Sequence, residues 1–147
     1  MEQTQFDIDT HPDGLEVDLL RDRIDTFNVD ETKIYDFKEL AIFLRDSSGQ
    51  MIAGIYAYTW GGCLDIKLLW VSEDIRGRGL GSKLMQAAER EAFARGCHVA
   101  MLGTHSFQAP DFYKQLGYEE IGVLDGYPMQ HKKYFLKKAL SRKQRRG

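Results

Sequence analysis

Cysteine is scarce in this 147-residue chain. Cys63 and Cys97 are too few for a disulfide framework and follow no metal-ligand spacing, which points to two reduced structural thiols and away from any metal site. Long apolar runs are missing as well. Unbroken runs such as residues 68–71 and the slightly interrupted run 51–60 fall far short of the roughly 20 residues that cross a bilayer, so neither a spanning helix nor a membrane partner is expected. The opening Met-Glu-Gln-Thr-Gln-Phe-Asp lacks the basic and apolar regions of a secretory signal, which predicts a cytoplasmic protein. Only three prolines occur, all where turns or helix starts are expected, and no repeat or low-complexity segment is present. One domain over residues 1–147 is the expected organisation, with a basic C-terminal tail inside residues 136–147.

The net charge of -2 excludes little, but its distribution is uneven. Residues 1–36 carry eleven acidic side chains against three basic ones, whereas residues 132–146 carry eight basic and no acidic ones. Both runs are compatible with solvated faces. The tail Ser141-Arg142-Lys143-Gln144-Arg145-Arg146 has no interleaved aromatics and no accompanying recognition motif, so nucleic acid is not an expected partner.

Leu15, Val17, Leu19, Leu20, Ile24 and Phe27 recur mostly at three- and four-residue spacing among charges, which predicts an amphipathic helix with its acidic face outward. Residues 39–45 and 51–60, joined by Asp46-Ser47-Ser48-Gly49, read as a β-hairpin. After Gly61-Gly62, residues 64–71 are apolar at nearly every position, the pattern of a central strand buried on both faces. A helix is expected over residues 80–95, with Leu80, Leu84, Ala88 and Ala92 on one face and Gly96 as its stop. A strand over 98–103, a helix opened by Pro110 and ended by Gly117, and a hairpin over 118–136 complete the order. A mixed, mostly antiparallel sheet flanked by helices follows, an α+β arrangement within the broad α/β class.

Between the third strand and the long helix stands Ile75-Arg76-Gly77-Arg78-Gly79-Leu80-Gly81-Ser82-Lys83. Glycines let consecutive backbone N–H groups converge without Cβ obstruction, and a helix N-terminus adds the positive end of its dipole, so the turn is suited to an anion. A P-loop is excluded because Ser82 precedes Lys83 instead of following it. A dinucleotide fingerprint is excluded because the glycines are spaced Gly-x-Gly-x-Gly and follow antiparallel strands. A bare helix start, with glycines chosen for turn geometry, is the structural alternative.

Arg76, Gly79 and Gly81 match a pattern of Gln or Arg, two residues, Gly, one residue, Gly or Ala; residues 109–118, Ala-Pro-Asp-Phe-Tyr-Lys-Gln-Leu-Gly-Tyr, supply a second motif at the appropriate separation. In both motifs the chain resembles the GNAT family of N-acetyltransferases, and Thr104-His105-Ser106-Phe107-Gln108 is similar to a small bacterial branch of it. The resemblance implies the acyl-CoA N-acyltransferase fold and acetyl-CoA as co-substrate, with no metal. It implies a pyrophosphate site at Arg76, Gly77, Arg78, Gly79, Leu80, Gly81 and Ser82, and a pantetheine edge with an oxyanion site at the backbone of Leu69, Trp70 and Val71. Ser106 stands where many members have a cofactor-contacting asparagine.

Acetyl transfer to an amine needs a deprotonated amine, a stabilised oxyanion and an accommodated thiolate. Tyr113 occupies the family's general-acid position, and because adjacent helical residues point to different sides, only one of Phe112 and Tyr113 is expected to face the core. Asp65 lies eleven residues before Arg76, the interval of the glutamate base in the histone-modifying branch; an acidic residue among Leu64, Ile66 and Leu68 is expected to be more basic than usual, unless it pairs with Lys67 or an arginine. His105 and His131 are lesser candidates. The acceptor is expected to be the primary amine of a cationic small molecule, since Asp18, Asp22, Asp25, Asp30 and Glu31 fall in the N-terminal region that usually walls the family's acceptor site. A protein or peptide amine, or an acyl-CoA-binding module without turnover, is the alternative, and a homodimer stands beside a monomer as the expected assembly.

Overall fold

A computed structural model describes residues 5–142; Lys143, Arg145 and Arg146 of the basic tail lie outside the described residues. The chain divides into two compact units, Met1–Tyr35 and Asp36–Gly147. The first is built on helix α1, Gly14–Thr32, opened by Asp13, whose carboxylate accepts the Leu15 N–H at 2.9 Å, and closed by Lys33 in the left-handed conformation. The spacing of its apolar residues gave the helix correctly. Yet none of its side chains is buried, and Leu15, Leu20 and Phe27 are all exposed.

The second unit is a six-stranded sheet in the order β1-β2-β3-β4-β6-β5. The strands are β1, Lys38–Arg45; β2, Met51–Trp60; β3, Cys63–Val71; β4, Val99–His105; β5, Glu119–Asp125; and β6, Lys132–Ala139. Only β3 and β4 pair in parallel. Helix α2, Leu80–Ala94, provides the crossover between them, and the short helix α3, Pro110–Gln115, leads into β5. The core lies between α2 and the sheet, where Leu84, Met85, Ala88 and Ala92 meet Ala53, Ile55, Ala57, Leu64 and Ile66. Each large side chain buried there contributes about 1.5–3 kcal/mol. Among the described residues no helix is long and apolar enough to cross a membrane.

One expectation fails on β3. Tyr56 pairs with Leu68 but Ala57 pairs with Ile66, which leaves Lys67 without a partner in β2, a β-bulge. The extra residue reverses the alternation. Leu64 and Ile66 point into the core, but beyond the bulge Leu69 and Val71 take the inner positions while Leu68 and Trp70 are 66% and 49% exposed. The strand is therefore not buried on both faces.

A charge that the helical pattern did not single out sits in the core. Glu89 of α2, 1% exposed, accepts hydrogen bonds from the Tyr118 hydroxyl and the Lys138 ammonium, both at 2.8 Å. Burial, with the neighbouring carboxylate second, pushes the Tyr118 hydroxyl far up from the ordinary phenol range. Removing one partner leaves the others desolvated and unpaired, so Glu89→Ala is expected to cost about 3 kcal/mol of stability. The denaturant midpoint reads this; a loss below about 1 kcal/mol would mean that water replaces the carboxylate.

Candidate functional site

The parallel strands stay together only from Cys63 opposite Val99 to Ile66 opposite Leu102. Beyond that point β3 bulges at Lys67 and the two strands part. Their divergence exposes backbone groups that would otherwise pair. The Ser72 N–H donates to the Ile52 carbonyl at 2.8 Å, so antiparallel alternation turns the peptide groups of Trp70 towards β2 and those of Leu69 and Val71 towards the gap. The Val71 carbonyl is taken by Arg76 Nε at 2.9 Å. The N–H groups of Leu69 and Val71 thus face the gap, whereas the Trp70 amide, grouped with them from the sequence, is turned away.

The gap is a cavity of about 740 Å³. A 3₁₀ turn at Glu73–Ile75 swings the chain across its open end, and Gly77 and Gly79, both with positive φ, bring the backbone round into α2. No side chain caps the helix at Gly79, so the N–H groups of Leu80, Gly81 and Ser82 lack intrahelical partners. A Cβ on Gly77 or Gly79 would meet no atom within 4 Å, whereas one on Gly81 would lie 3.1 Å from Phe112 Cζ. The first two glycines leave open space above the loop; the third lets α3 approach α2.

Leu69, Trp70, Val71, Arg76, Gly77, Gly79, Leu80, Gly81, Ser82 and Tyr113 all border this cavity. Phe112 borders it too, and both rings pack against the core, which corrects the expectation that only one of the two faces it. Their Cα directions differ by about 100° around the helix, and both flank the side of α3 that overlies the gap. The rings meet edge-on, with centroids 5.0 Å apart. Burial raises the Tyr113 hydroxyl above the ordinary phenol range, so it stays protonated.

Three predicted residues lie elsewhere. Arg78, between two positive-φ glycines, is exposed and does not border the cavity. Ser106 is engaged with the start of β6: its Oγ accepts the Lys132 N–H at 3.2 Å, and its own N–H donates to the Lys132 carbonyl. Asp65, with its side chain 14% exposed, pairs with Lys67 at 3.0 Å and borders a second cavity of about 280 Å³. Ile66, Lys67, Leu102 and Gly103 line both cavities, so the two adjoin where the strands part. Thr104 and Gln108, also on the wall of the larger cavity, were not singled out from the sequence; the Gln108 side chain accepts the His105 N–H at 2.8 Å and so fixes the turn after β4. Among the described residues no cluster of three or more metal-ligating side chains forms.

A family model described as the acetyltransferase (GNAT) family matches residues 12–118. An acetyltransferase of Agrobacterium fabrum is 33% identical over 105 residues, spanning 71% of this chain and 77% of that protein. The blasticidin-S acetyltransferase of Streptomyces morookaense is 37% identical over 91 residues, 60% of this chain and 65% of that protein. The crystal structure of an acetyltransferase from Bacillus cereus superposes with a TM-score of 0.77 at 28% identity, covering 91% of this chain and 98% of that one.

Proposed function

The chain belongs to the GNAT family of acetyltransferases and is an acetyl-CoA-dependent enzyme; from that premise we propose that it acetylates the primary amine of a cationic small molecule in the cytoplasm. The observation that carries the reading is that the glycine turn with its uncapped helix start, the end of β3 from Leu69 to Val71, and Tyr113 all border one cavity. Acetyl-CoA supplies an acetyl group activated as a thioester. Gly77, Gly79, Leu80, Gly81 and Ser82 fit its pyrophosphate, because Gly77 and Gly79 put no Cβ into the open space above the loop and the helix dipole favours the charge. Leu69 and Val71 offer their N–H groups to the pantetheine arm and to negative charge developing on the acetyl oxygen. Tyr113 gives its proton to the departing sulfur. Asp65, on the wall of the adjoining smaller cavity, takes the proton of the amine.

The acidic N-terminal region supports the cationic acceptor. Asp18, Asp22 and Asp25 recur at four- and three-residue spacing along one side of α1, and Asp22 and Asp25 have no ion-pair partner among the described residues. Such a field concentrates cations and is screened beyond about 8 Å at physiological ionic strength. In a thiol-release screen with acetyl-CoA across polyamines, cationic antibiotics, amino acids and lysine peptides, the best acceptor is expected to carry a net charge of at least about +2, and its KM to rise with salt. Neutral amines outperforming every polycation would sink the idea, as would charge reversal at Asp22 and Asp25 that leaves KM unchanged.

A further inference from the structure

Strand β6 carries four lysines, and three of them have a carboxylate. Lys132 pairs with Asp125 at 3.5 Å, Lys137 with Glu119 at 3.6 Å and Lys138 with Glu89 at 2.8 Å. Lys133, half-buried, pairs with no acidic group among the described residues; its ammonium lies over the Phe135 ring, 5.4 Å from the centroid. Its stem lies flat on β4, where the absence of a side chain at Gly103 makes room: a Cβ there would be 2.8 Å from Lys133 Cε and 3.5 Å from Nζ. Gly103 lines both cavities. The unpaired ammonium therefore stands beside the junction of the two.

The rest of the smaller cavity is apolar, with Met101, Ile121 and Phe135 on its walls, and the charges of Asp65 and Lys67 cancel in their ion pair. Lys133 is left as the uncompensated charge of the cavity. A partly desolvated ammonium without a counter-ion is costly, and a ligand carboxylate is the group that offsets that cost. At about 280 Å³ the cavity admits a molecule of amino-acid size or one end of a larger one.

We propose that the smaller cavity receives an amine that carries a carboxylate, with Lys133 as the residue that holds it. The inference rests on the acetyltransferase reading, and it narrows the acceptor to a molecule whose reacting amine and carboxylate share one end. Two or more further amino or guanidino groups outside the cavity keep such a molecule at the net charge of about +2 expected above, so the singly charged acids used below probe the carboxylate contact alone.

The test uses matched pairs, L-lysine against L-lysinamide and L-arginine against L-argininamide, with the wild-type protein, Lys133→Met and Lys133→Arg. Each amine is titrated by calorimetry with and without coenzyme A, and thiol release from acetyl-CoA is followed in parallel. High salt, at which steering between exposed charges is screened more than a half-buried pair, isolates the local contact. The carboxylate member is expected to bind at least about tenfold tighter than its amide in the wild type, with the ratio near one in Lys133→Met and retained in Lys133→Arg, as charge pairing requires. Equal binding of acid and amide by the wild-type protein overturns the proposal, and so does a preference that survives in Lys133→Met. Transfer without carboxylate preference defeats this inference alone. Carboxylate-selective binding with no thiol release from any amine upholds it and defeats the proposed reaction.

Discussion

Tyr113→Phe lowers kcat by about ten- to a thousand-fold while the affinity for acetyl-CoA stays within about twofold, the signature of a group that acts on the leaving atom and not on binding. The hydroxyl has no hydrogen-bond partner among the described residues and Tyr113 borders the larger cavity, while its ring is held edge-on by Phe112 and, at 6.2 Å, by Tyr118. Phenylalanine keeps those ring contacts. The loss is then chemical and not structural. Because burial moves the Tyr113 pKa upwards, the neutral, proton-donating form persists to higher pH than for a free phenol. No fall in kcat from its ionisation is expected between pH 7 and 9, whereas Asp65→Asn is expected to lower kcat by removing the group that accepts the proton of the amine. Single-turnover kinetics across pH read both. Full turnover in Tyr113→Phe would reduce the tyrosine to a packing residue.

Gly79→Val and Gly81→Val each weaken acetyl-CoA binding by about a hundredfold or more, equivalent to about 3 kcal/mol. The causes differ. At Gly79 the backbone has φ of 77°, a region costly for a β-branched residue, and the new side chain would fill the open space above the loop. At Gly81 the backbone is ordinary but the neighbour is close: the added carbon would lie 3.1 Å from Phe112 Cζ and 3.9 Å from Val71 Cγ2. Relief there means moving the phenylalanine that abuts Tyr113, so Gly81→Val is also expected to lower kcat for whatever cofactor still binds. Calorimetry on protein shown folded by circular dichroism measures both variants. Unchanged affinity in either removes that glycine from the anion site.

Elements whose signal is local were legible from sequence. The turn at Asp46 to Gly49, the glycine stop after α2 and the proline at the start of α3 each act within a few residues, and the strands and helices between them appear close to where the periodicity puts them. The loop and Tyr113 lie 30 residues or more apart in sequence but border one cavity, and it was the paired motifs, not periodicity, that brought them together. What stayed hidden depends on partners distant in sequence. An unbroken apolar run gives no sign of which residue is bulged out, so the exposure of Leu68 and Trp70 was unreadable. Glu89 looks like any helix-surface charge until Tyr118, just before β5, and Lys138 of β6 arrive to bury it. Ser106 could be placed by motif, but its hydrogen bond to Lys132 could not. The apolar spacing of α1 gave a helix without revealing that its side chains stay exposed.

The unmatched Lys67 makes β3 one residue longer than the stretch of β2 that it faces, so this strand is sensitive to length in a way that it is not to composition. Exchanging Lys67 for another residue leaves the count intact. Deleting it returns the strand to strict two-residue alternation with Ile66 still opposite Ala57 and Leu68 still opposite Tyr56, so every residue keeps its side and what is lost is the bend and added twist of the bulge. Leu69 and Val71 would keep their N–H groups away from β2, but β3 would no longer be bent just beyond Ile66, where it parts from β4, and the gap between the strands would narrow. A library of variants spanning Asp65 to Arg76 should therefore tolerate many substitutions at Lys67, whereas deletion of Lys67 should leave a folded protein with weakened acetyl-CoA binding, and homologous segments grafted into the site should work only when they keep the bulge.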